Sequence, residues 1–528
     1  MANILQNSVL GRVLRWIAGF FALQARESAL LGAFCRGWQH STLRRGLVAL
    51  GEVEEGVARG SFVGKLLRWF DGLLGKIKRL RPCFESSLVG RMVFGLLRWG
   101  KNSRILGWVF CDGFTGAMLT VLGLYAGVDW LLRDMFSVPV LSSTWDELLL
   151  VCAIALILYK RTGRKTPDTA RTTNLDLWVA AFVATGLLLI AMIHPFPSVA
   201  VAGFRATCQY LLWFFVVTRL IRHDRDLKRL YGLLLVLASL IALHGVYQYI
   251  VGVPIPEHWT DQAEADVRTR VFSIFGSPNI MADYMVMFAP MAAGLAYAVK
   301  NKKLKWAAWL GVAVMCVACL FTMSRAGWVA MAVAIVVFAL LVDRRLFLVM
   351  LAALVAALFL PFVASRLGYL FTDEFAHSTA HGGRSSRWAL GLGHLYDSNP
   401  VLGFGMGMFG GAVAMQNQVY GHIQYFYLDN YYIKTLVEMG YLGLTVFIVM
   451  MATLLFTGCR CLYKASKRKQ DGMYPMAAGI FAGLCGVLTH CYFENIFEEP
   501  YMAATFWILA AMLVYLGIYR NQKEICTC

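Results

Sequence analysis

Long apolar runs alternate with short polar segments along most of this chain. Twelve of these runs are candidates for membrane spans, because a helix needs about 20 mostly apolar residues to cross a bilayer. They cover residues 108–132, 146–160, 174–194, 199–218, 228–251, 277–299, 305–323, 326–342, 346–363, 430–457, 474–490 and 500–519. The pattern predicts an all-α polytopic membrane protein with about 12 transmembrane helices. One long hydrophilic loop, residues 364–428, separates the ninth predicted span from the tenth.

The basic residues of the loops predict the orientation of these spans. Alternate loops carry 23 Lys and Arg residues on one side and seven on the other. The seven are Arg133, Arg268, Arg270, Arg325, Arg366, Arg384 and Arg387. In multi-pass proteins the cytoplasmic loops carry the excess of Lys and Arg. We therefore expect a protein of the cytoplasmic membrane with both termini in the cytoplasm and the 364–428 loop outside.

Composition narrows the function further. The chain has 528 residues, of which 59% are hydrophobic and 15% charged, whereas soluble domains carry about 25% charged residues. Its net charge of +18 does not indicate nucleic-acid binding, because the basic residues follow the predicted topology. The 13 Cys are scattered, which does not favour a disulfide framework. Cys316 and Cys319 form a CxxC inside an apolar span, where packing is favoured over metal or redox chemistry.

Residues 1–105 differ from the rest and are treated as a separate cytoplasmic segment, with residues 106–528 forming the membrane domain. The segment carries 17 Lys and Arg against six acidic residues. A weak repeat recurs as SVLGRVLRW (8–16), SFVGKLLRW (61–69) and SLVGRMVFGLLRW (87–99). Basic residues with apolar ones at helical spacing predict amphipathic helices on anionic lipid. The alternative is a solvated basic tail.

Charged residues inside the predicted spans and on the predicted outer side are candidate site residues. Lys434 lies one helical turn before Glu438, so the two can pair. Arg205 has no local partner in sequence, and it either reaches the outer interface or contacts phosphate in an outward cavity. A guanidinium group binds phosphate oxygens through two parallel hydrogen bonds. Several outer arginines in one cavity would therefore suit a pyrophosphate, whereas a single one is equally a solvated loop charge.

Five motifs occur in a fixed order between residues 200 and 515. They are HGVYQYIVG (244–252), RVFSIFGSPN (270–279), MSRAGW (323–328), GRSSRW (383–388) with PVLGFG (400–405), and DNYYIKTLVEMGYLGL (429–444). Together with the long loop, they resemble the O-antigen ligase and O-antigen polymerase superfamily of integral-membrane glycosyltransferases. Residues 1–105 lie outside the resemblance.

The resemblance implies transfer of a glycan from undecaprenyl pyrophosphate to an acceptor, outside the membrane and without a metal or other cofactor. Arg270 and Arg384 match the arginines that would hold the pyrophosphate. Ligases of the family usually have a His-Asn pair before the tenth span, and this chain has Asp429 and Asn430 there. That difference favours the polymerase and exopolysaccharide members over the lipid A-core ligases. His422 is close enough in sequence to take the role of the missing histidine.

The chemistry of such a transfer needs charge stabilisation at the leaving pyrophosphate and a base for the acceptor hydroxyl. Asp429 is the first candidate for the base or the acceptor-orienting group and His422 the second, although Asp429 is also a plausible helix cap. Further candidates for substrate contact are Arg205, Arg325, Arg387, Asn279 and Asn430. In the outer loop, the residues that come nearest to the spacing of metal ligands are Asp373, Glu374 and His377. We expect no metal there.

Three classes of function fit the pattern to different degrees. The first is a membrane glycosyltransferase that polymerises a lipid-linked glycan, with a ligase acting on a lipid or protein acceptor as the alternative. The second is a 12-span transporter, which the lack of an internal repeat and the position of the long loop disfavour. The third is a non-enzymatic assembly protein, which would be favoured if the outer arginines did not converge.

Overall fold

The computed structural model describes most of the chain between residues 81 and 520. The described residues are 65, 69, 81–104, 106–136, 139–162, 173–193, 196–254, 269–368, 371–372, 383–423, 426–467 and 472–520. All of them belong to one compact unit, Ser61–Cys528.

Helices account for nearly all regular structure in this part of the chain. In order they are α1 (Arg81–Ser86), α2 (Leu88–Asn102), α3 (Phe114–Gly123), α4 (Tyr125–Trp130), α5 (Pro139–Thr162), α6 (Asn174–Met192), α7 (Pro197–Cys208), α8 (Leu212–Leu220), α9 (Asp224–Val251), α10 (Pro278–Ala298), α11 (Lys302–Phe321), α12 (Arg325–Leu341), α13 (Arg345–Leu358), α14 (Pro361–Gly368), α15 (Arg384–Asp397), α16 (Ala412–Asn417), α17 (Tyr431–Ser466), α18 (Tyr474–His490) and α19 (Pro500–Val514). A short π-helical stretch, Leu131–Met135, follows α4, and another, Tyr515–Tyr519, follows α19.

Eight helices of the described residues are long and apolar enough to cross a membrane. A ninth is added if α3 and the Tyr125–Met135 stretch, which bend by 77°, form one broken span. Three shorter apolar helices are α12, α13 and α18. Each predicted span contains one of these helices or helix pairs, so the prediction of an all-α multi-pass membrane fold is confirmed. The count of 12 spans remains a prediction.

The core is built around the contact between α10 and α18. Gly479 and Gly483 of α18 lie against the backbone of α10, where an added Cβ would come within 2.4 Å of a carbonyl oxygen. Small residues four apart allow two helix backbones to approach closely inside a membrane. Because α10 and α18 are fixed in this way, the segments just before α10 and just after α18 are brought together. Both contribute to the site described below.

Helix α17 is broken near its start, at Gly440, where φ is 65° and ψ is −170°. The loop 400–405 fills the break with backbone groups of its own. Four hydrogen bonds cross between the two segments: Phe404 N to Val437 O (2.9 Å), Gly405 N to Glu438 O (2.9 Å), Tyr441 N to Pro400 O (2.9 Å) and Leu442 N to Val401 O (3.1 Å). The carbonyl and amide groups released by the break are thereby satisfied.

The glycine-rich stretch Gly403–Gly411 packs closely in the same region. Gly403, Gly405, Gly407 and Gly410 are buried and adopt positive φ values. Gly403 lies against the backbone of α17 and Gly407 against that of α7. Glycine allows both the positive φ values and the close approach of the backbones.

Candidate active site

The segment that carries Arg270 is held from two sides. Gln248 of α9 accepts hydrogen bonds from Phe272 N (3.1 Å) and Ser273 N (2.7 Å) through its side-chain oxygen. On the other side, Val271 N donates to the carbonyl of Phe321 at the end of α11 (3.2 Å). The HGVYQ motif thus has a structural role, since its glutamine fixes the backbone next to Arg270.

Three arginines from different parts of the sequence meet at the turn between α11 and α12. Arg270 Nε donates to the carbonyl of Thr322 (3.1 Å). Arg366 of α14 donates from Nε and Nη2 to the carbonyl of Met323 (3.2 Å each). Arg325 is the first residue of α12, directly after this turn.

The strain in this turn explains why it needs such support. Met323 has φ of 55°, which is uncommon for a residue with a side chain. Arg366 is only 6% exposed, and its two hydrogen bonds hold the Met323 carbonyl in place. Arg366 did not stand out among the seven predicted outer arginines, because no motif surrounds it.

Arg384 and Arg387 form a second basic group, one turn apart at the start of α15. Arg387 Nη2 lies 2.8 Å from Asp429 Oδ2, and Arg384 Nε lies 3.7 Å from the same oxygen. Arg387 Nη1 also donates to the carbonyl of Tyr427 (2.8 Å), and Trp388 Nε1 donates to that of Leu428 (2.5 Å). The first turn of α15 is therefore attached to the segment that precedes α17.

Asp429 itself does not cap α17. It has φ of 48°, a conformation that Asp adopts more readily than most residues. The cap is Asn430, whose side-chain oxygen accepts hydrogen bonds from Tyr432 N and Ile433 N (3.0 Å each). The alternative role of Asp429 as a helix cap is therefore wrong. Its carboxylate is left to face Arg384 and Arg387.

Glu494 and Asn279 connect the two basic groups. Asn279 accepts a hydrogen bond from Arg270 Nη2 (3.4 Å) and donates from Nδ2 to Glu494 Oε2 (2.7 Å). Burial and then the negative charge of Asp429 raise the pKa of Glu494. These residues form one polar network, in which hydrogen bonds join Arg270 to Glu494 through Asn279 and the charge of Asp429, which pairs with Arg384 and Arg387, acts on Glu494. Sequence reasoning missed Glu494, which lies in the short loop after α18.

That loop, residues 491–499, is rich in carboxylates and is attached to the core. Glu498 Oε1 lies 3.2 Å from Lys434 Nζ, whose other partner is Glu438 Oε2 at 2.8 Å. The pairing of Lys434 with Glu438 that the helical spacing predicted is present. Burial is the first cause that raises the pKa of Glu499 to about 7. The loop thus carries charge next to the site but is fixed by a buried ion pair.

Two candidates from the sequence lie apart from this network. Arg205 forms an ion pair with Glu147 of α5 and donates to the carbonyl of Ser143 (2.8 Å). This partner lies 58 residues earlier in the chain, so local spacing in the sequence did not show it. His422 is exposed, and its ring contacts that of Tyr420 with 6.1 Å between centroids. Among the described residues, no hydrogen bond joins His422 to Asp429.

The three residues that we considered as metal ligands lie outside the described part of the chain. Asp373, Glu374 and His377 lie in the part of the loop that the structure does not describe, as does Arg268. Within the described residues, no group of three His, Cys, Asp or Glu side chains has the arrangement of a metal site. Independence from metal remains a prediction.

Fold and site together define a multi-pass membrane protein with an arginine-rich and carboxylate-containing site at one end of its helices. Residues 310–448 match the family model described as O-antigen ligase. The match covers part of the chain and supports the similarity of this part to O-antigen ligases. The matched region includes Arg325, Arg366, Arg384, Arg387 and Asp429. The comparison with curated proteins gave no match.

Proposed function

We propose that this protein transfers or polymerises a glycan carried on a polyprenyl pyrophosphate, without a metal, at the outer face of the cytoplasmic membrane. The observation that supports the proposal is the polar network of two parts, Arg270 hydrogen-bonded through Asn279 to Glu494, and Arg384 and Arg387 paired with Asp429, whose charge acts on Glu494. In this proposal its cations receive a pyrophosphate, and its carboxylates act on a hydroxyl group.

Arg384 and Arg387 are the residues best arranged to receive the donor. Two cations at the start of a helix lie at the positive end of its dipole, which repels them. An anion bound there is attracted by the two cations and by the dipole. In the absence of donor, Asp429 supplies the negative charge. When a pyrophosphate binds, it replaces Asp429 on the two guanidinium groups. Asp429 is then available to orient or deprotonate the acceptor hydroxyl.

Arg270 and Arg325 hold the other side of the pyrophosphate in this proposal. Arg270 is oriented by its bonds to Thr322 O and Asn279, and Arg366 supports the turn from which Arg325 starts. As the bond between sugar and pyrophosphate breaks, negative charge grows on the leaving oxygen. Fixed cations stabilise that charge in the transition state more than in the bound donor.

The decisive experiment uses the purified protein in nanodiscs with a polyprenyl-pyrophosphate oligosaccharide. Arg384→Gln should lower kcat by about 10²–10³, the usual cost of losing one charge-stabilising donor. Arg345→Gln is the matched control, because Arg345 is exposed at the start of α13, which follows the opposite end of α12. A wild-type protein that leaves the donor unchanged, with every acceptor tried, would overturn the proposal.

We favour polymerisation as the proposed reaction, with ligation as the alternative. The Asp-Asn pair at 429–430, in place of His-Asn, favours a polymerase. A deletion strain separates the two. Single glycan units without longer chains indicate a lost polymerase, whereas accumulated full-length polymer on lipid indicates a lost ligase.

The outward position of the site is part of the proposal and follows from the basic loops. Ser378→Cys in the long loop should react with a membrane-impermeant thiol reagent added from outside, and Ser466→Cys at the end of α17 should not. This needs a background in which the exposed native cysteines are replaced; they include Cys83, Cys111, Cys152 and Cys459. The opposite labelling pattern would place the site in the cytoplasm.

We further propose that α2 lies on anionic lipid. At about 100° per residue, its exposed apolar side chains fall within one arc of about 100°. They are Leu88, Val89, Met92, Leu96 and Trp99. Arg91 and Arg98 border this arc and are also exposed. The opposite face packs on the membrane domain through Phe94, whose ring lies 6.3 Å from that of Phe114.

A polarity-sensitive dye tests this position in nanodiscs. On Met92→Cys it should report an apolar environment, and on Lys101→Cys, which lies outside the arc, a polar one. Arg91→Gln with Arg98→Gln should weaken the signal at Met92→Cys only when the lipid is anionic. Equal polar signals at both labelled positions would show that α2 does not contact lipid.

A further inference from the structure

The two carboxylates of the network differ in the partners they have. Asp429 faces two guanidinium groups, at 2.8 and 3.7 Å. Glu494 accepts from neutral groups, namely the Asn279 amide (2.7 Å) and the backbone N–H of Asn495 (3.1 Å). The Asp429 oxygens are thus directed to cations. Glu494 is held in a fixed orientation between the two basic groups.

We propose that Glu494 accepts the proton of the incoming hydroxyl group, while Asp429, displaced from Arg384 and Arg387 by the donor, orients that hydroxyl. This inference rests on the glycan transfer proposed above. The acceptor oxygen attacks the anomeric carbon of the donor sugar, and the bond from that carbon to the pyrophosphate oxygen breaks. The lipid pyrophosphate leaves with the electron pair, and the hydroxyl proton moves to the Glu494 carboxylate. Glu494 later releases this proton to water.

The surroundings of Glu494 support a role as a base. Burial, followed by the charge of Asp429, raises its pKa, and a base works best when its pKa approaches the working pH. The neighbouring Tyr492 is 49% exposed, with its ring 5.5 Å from that of Trp388. Aromatic side chains with a few placed polar groups are a common lining of ligand sites.

Other titratable groups also face Glu494 and bear on its pH dependence. They are Asp429 and Tyr427 before α17, His490 at the end of α18, and Cys491 and Glu499 in its own loop. Of these, Asp429 is the largest charge-based cause of the raised Glu494 pKa. Removing the Asp429 charge is therefore a direct way to change the proton affinity of Glu494.

The first test is Glu494→Gln in the reconstituted protein. We expect kcat to fall by about 10²–10⁴, the usual contribution of a general base, while the KM for the donor stays within about threefold. Asp397→Asn is the control, because Asp397 is exposed at the far end of α15 and should react at the wild-type rate. Transfer by Glu494→Gln within about threefold of wild type overturns the inference.

The second test is the pH profile of kcat/KM. Wild type should lose activity on the acid side as Glu494 becomes protonated. Asp429→Asn should be slower, with this acid limb moved to lower pH, because the neighbouring negative charge that raises the Glu494 pKa is gone. Disappearance of the acid limb in Asp429→Asn would make Asp429 the base and overturn the inference.

Two further outcomes are distinguishable. If Glu494→Gln does not accumulate, Glu494→Asp decides, since a shorter carboxylate should keep an acid limb but at a changed pH. An unchanged limb in Glu494→Asp argues against Glu494. Wild-type protein that never consumes the lipid-linked donor contradicts the proposed function itself, whereas active wild type with active Glu494→Gln contradicts only this inference.

Discussion

Gly440→Ala tests whether the break in α17 is essential. A Cβ at position 440 would lie 2.2 Å from the carbonyl oxygen of Val401 and 2.6 Å from Gly403 N. Both are backbone atoms, so no side-chain rotation relieves the contact. The φ and ψ values of Gly440 also lie in a region that is almost restricted to glycine. Alanine must therefore push the loop 400–405 out of the break.

The expected cost has two parts. Strain at a position of this kind costs about 1–3 kcal/mol. Four backbone hydrogen bonds join the loop to α17, and each contributes about 0.5–1.5 kcal/mol. The sum is about 3–9 kcal/mol. With an unfolding entropy of about 2.1 cal/mol/K per residue and 528 residues, the melting temperature should fall by roughly 3–8 °C.

Thermal unfolding in detergent, followed by fluorescence, measures this change. Gly393→Ala is the matched control, because Gly393 lies in α15, is exposed, and has no atom within 4 Å of an added Cβ. Alanine there should leave the melting temperature unchanged or raise it slightly. A Gly440→Ala protein that melts within about 1 °C of wild type and transfers glycan normally would refute the reasoning.

Three further predictions concern charge and metal. Lys434→Met should destabilise the protein by about 3–5 kcal/mol, since it leaves Glu438 and Glu498 without their cation; unaltered melting would show that these carboxylates are neutral. Arg205→Gln should change stability by less than about 1 kcal/mol, because Arg205 is 47% exposed in its ion pair with Glu147. A 10²-fold loss of transfer in that variant would return Arg205 to the donor site. EDTA should leave transfer unchanged, and a full loss restored by one specific metal would show that a metal takes part.

Hydrophobic patterning predicted the helices well because each apolar run is a local property of the chain. Helix α10, for example, begins at Pro278 and ends at Ala298, and its predicted span was 277–299. Local spacing also predicted the Lys434–Glu438 pair. The break at Gly440 was not visible in the same way. The four hydrogen bonds that satisfy the break join α17 to a loop that lies about 40 residues earlier.

The candidate site shows the same limit. Arg384 and Arg387 stood out because a sequence motif surrounds them. Both contact the carboxylate of Asp429. Arg366 and Glu494 have no such motif and were missed. The ion-pair partner of Arg205 was not visible in local spacing, because Glu147 belongs to a different helix. Contacts between distant segments decide these roles, and one sequence does not show them.

The pairing of Asn279 with Glu494 has a consequence for synthesis of the protein. The two residues are 215 positions apart. At a synthesis rate of about 5–20 residues per second, Glu494 follows Asn279 from the ribosome by roughly 10–40 s. During that time Arg270 and Asn279 have entered the membrane domain without the carboxylate that completes the network. The hydrogen bond between Asn279 and Glu494 therefore cannot form until α18 and the start of the loop after it have been synthesised.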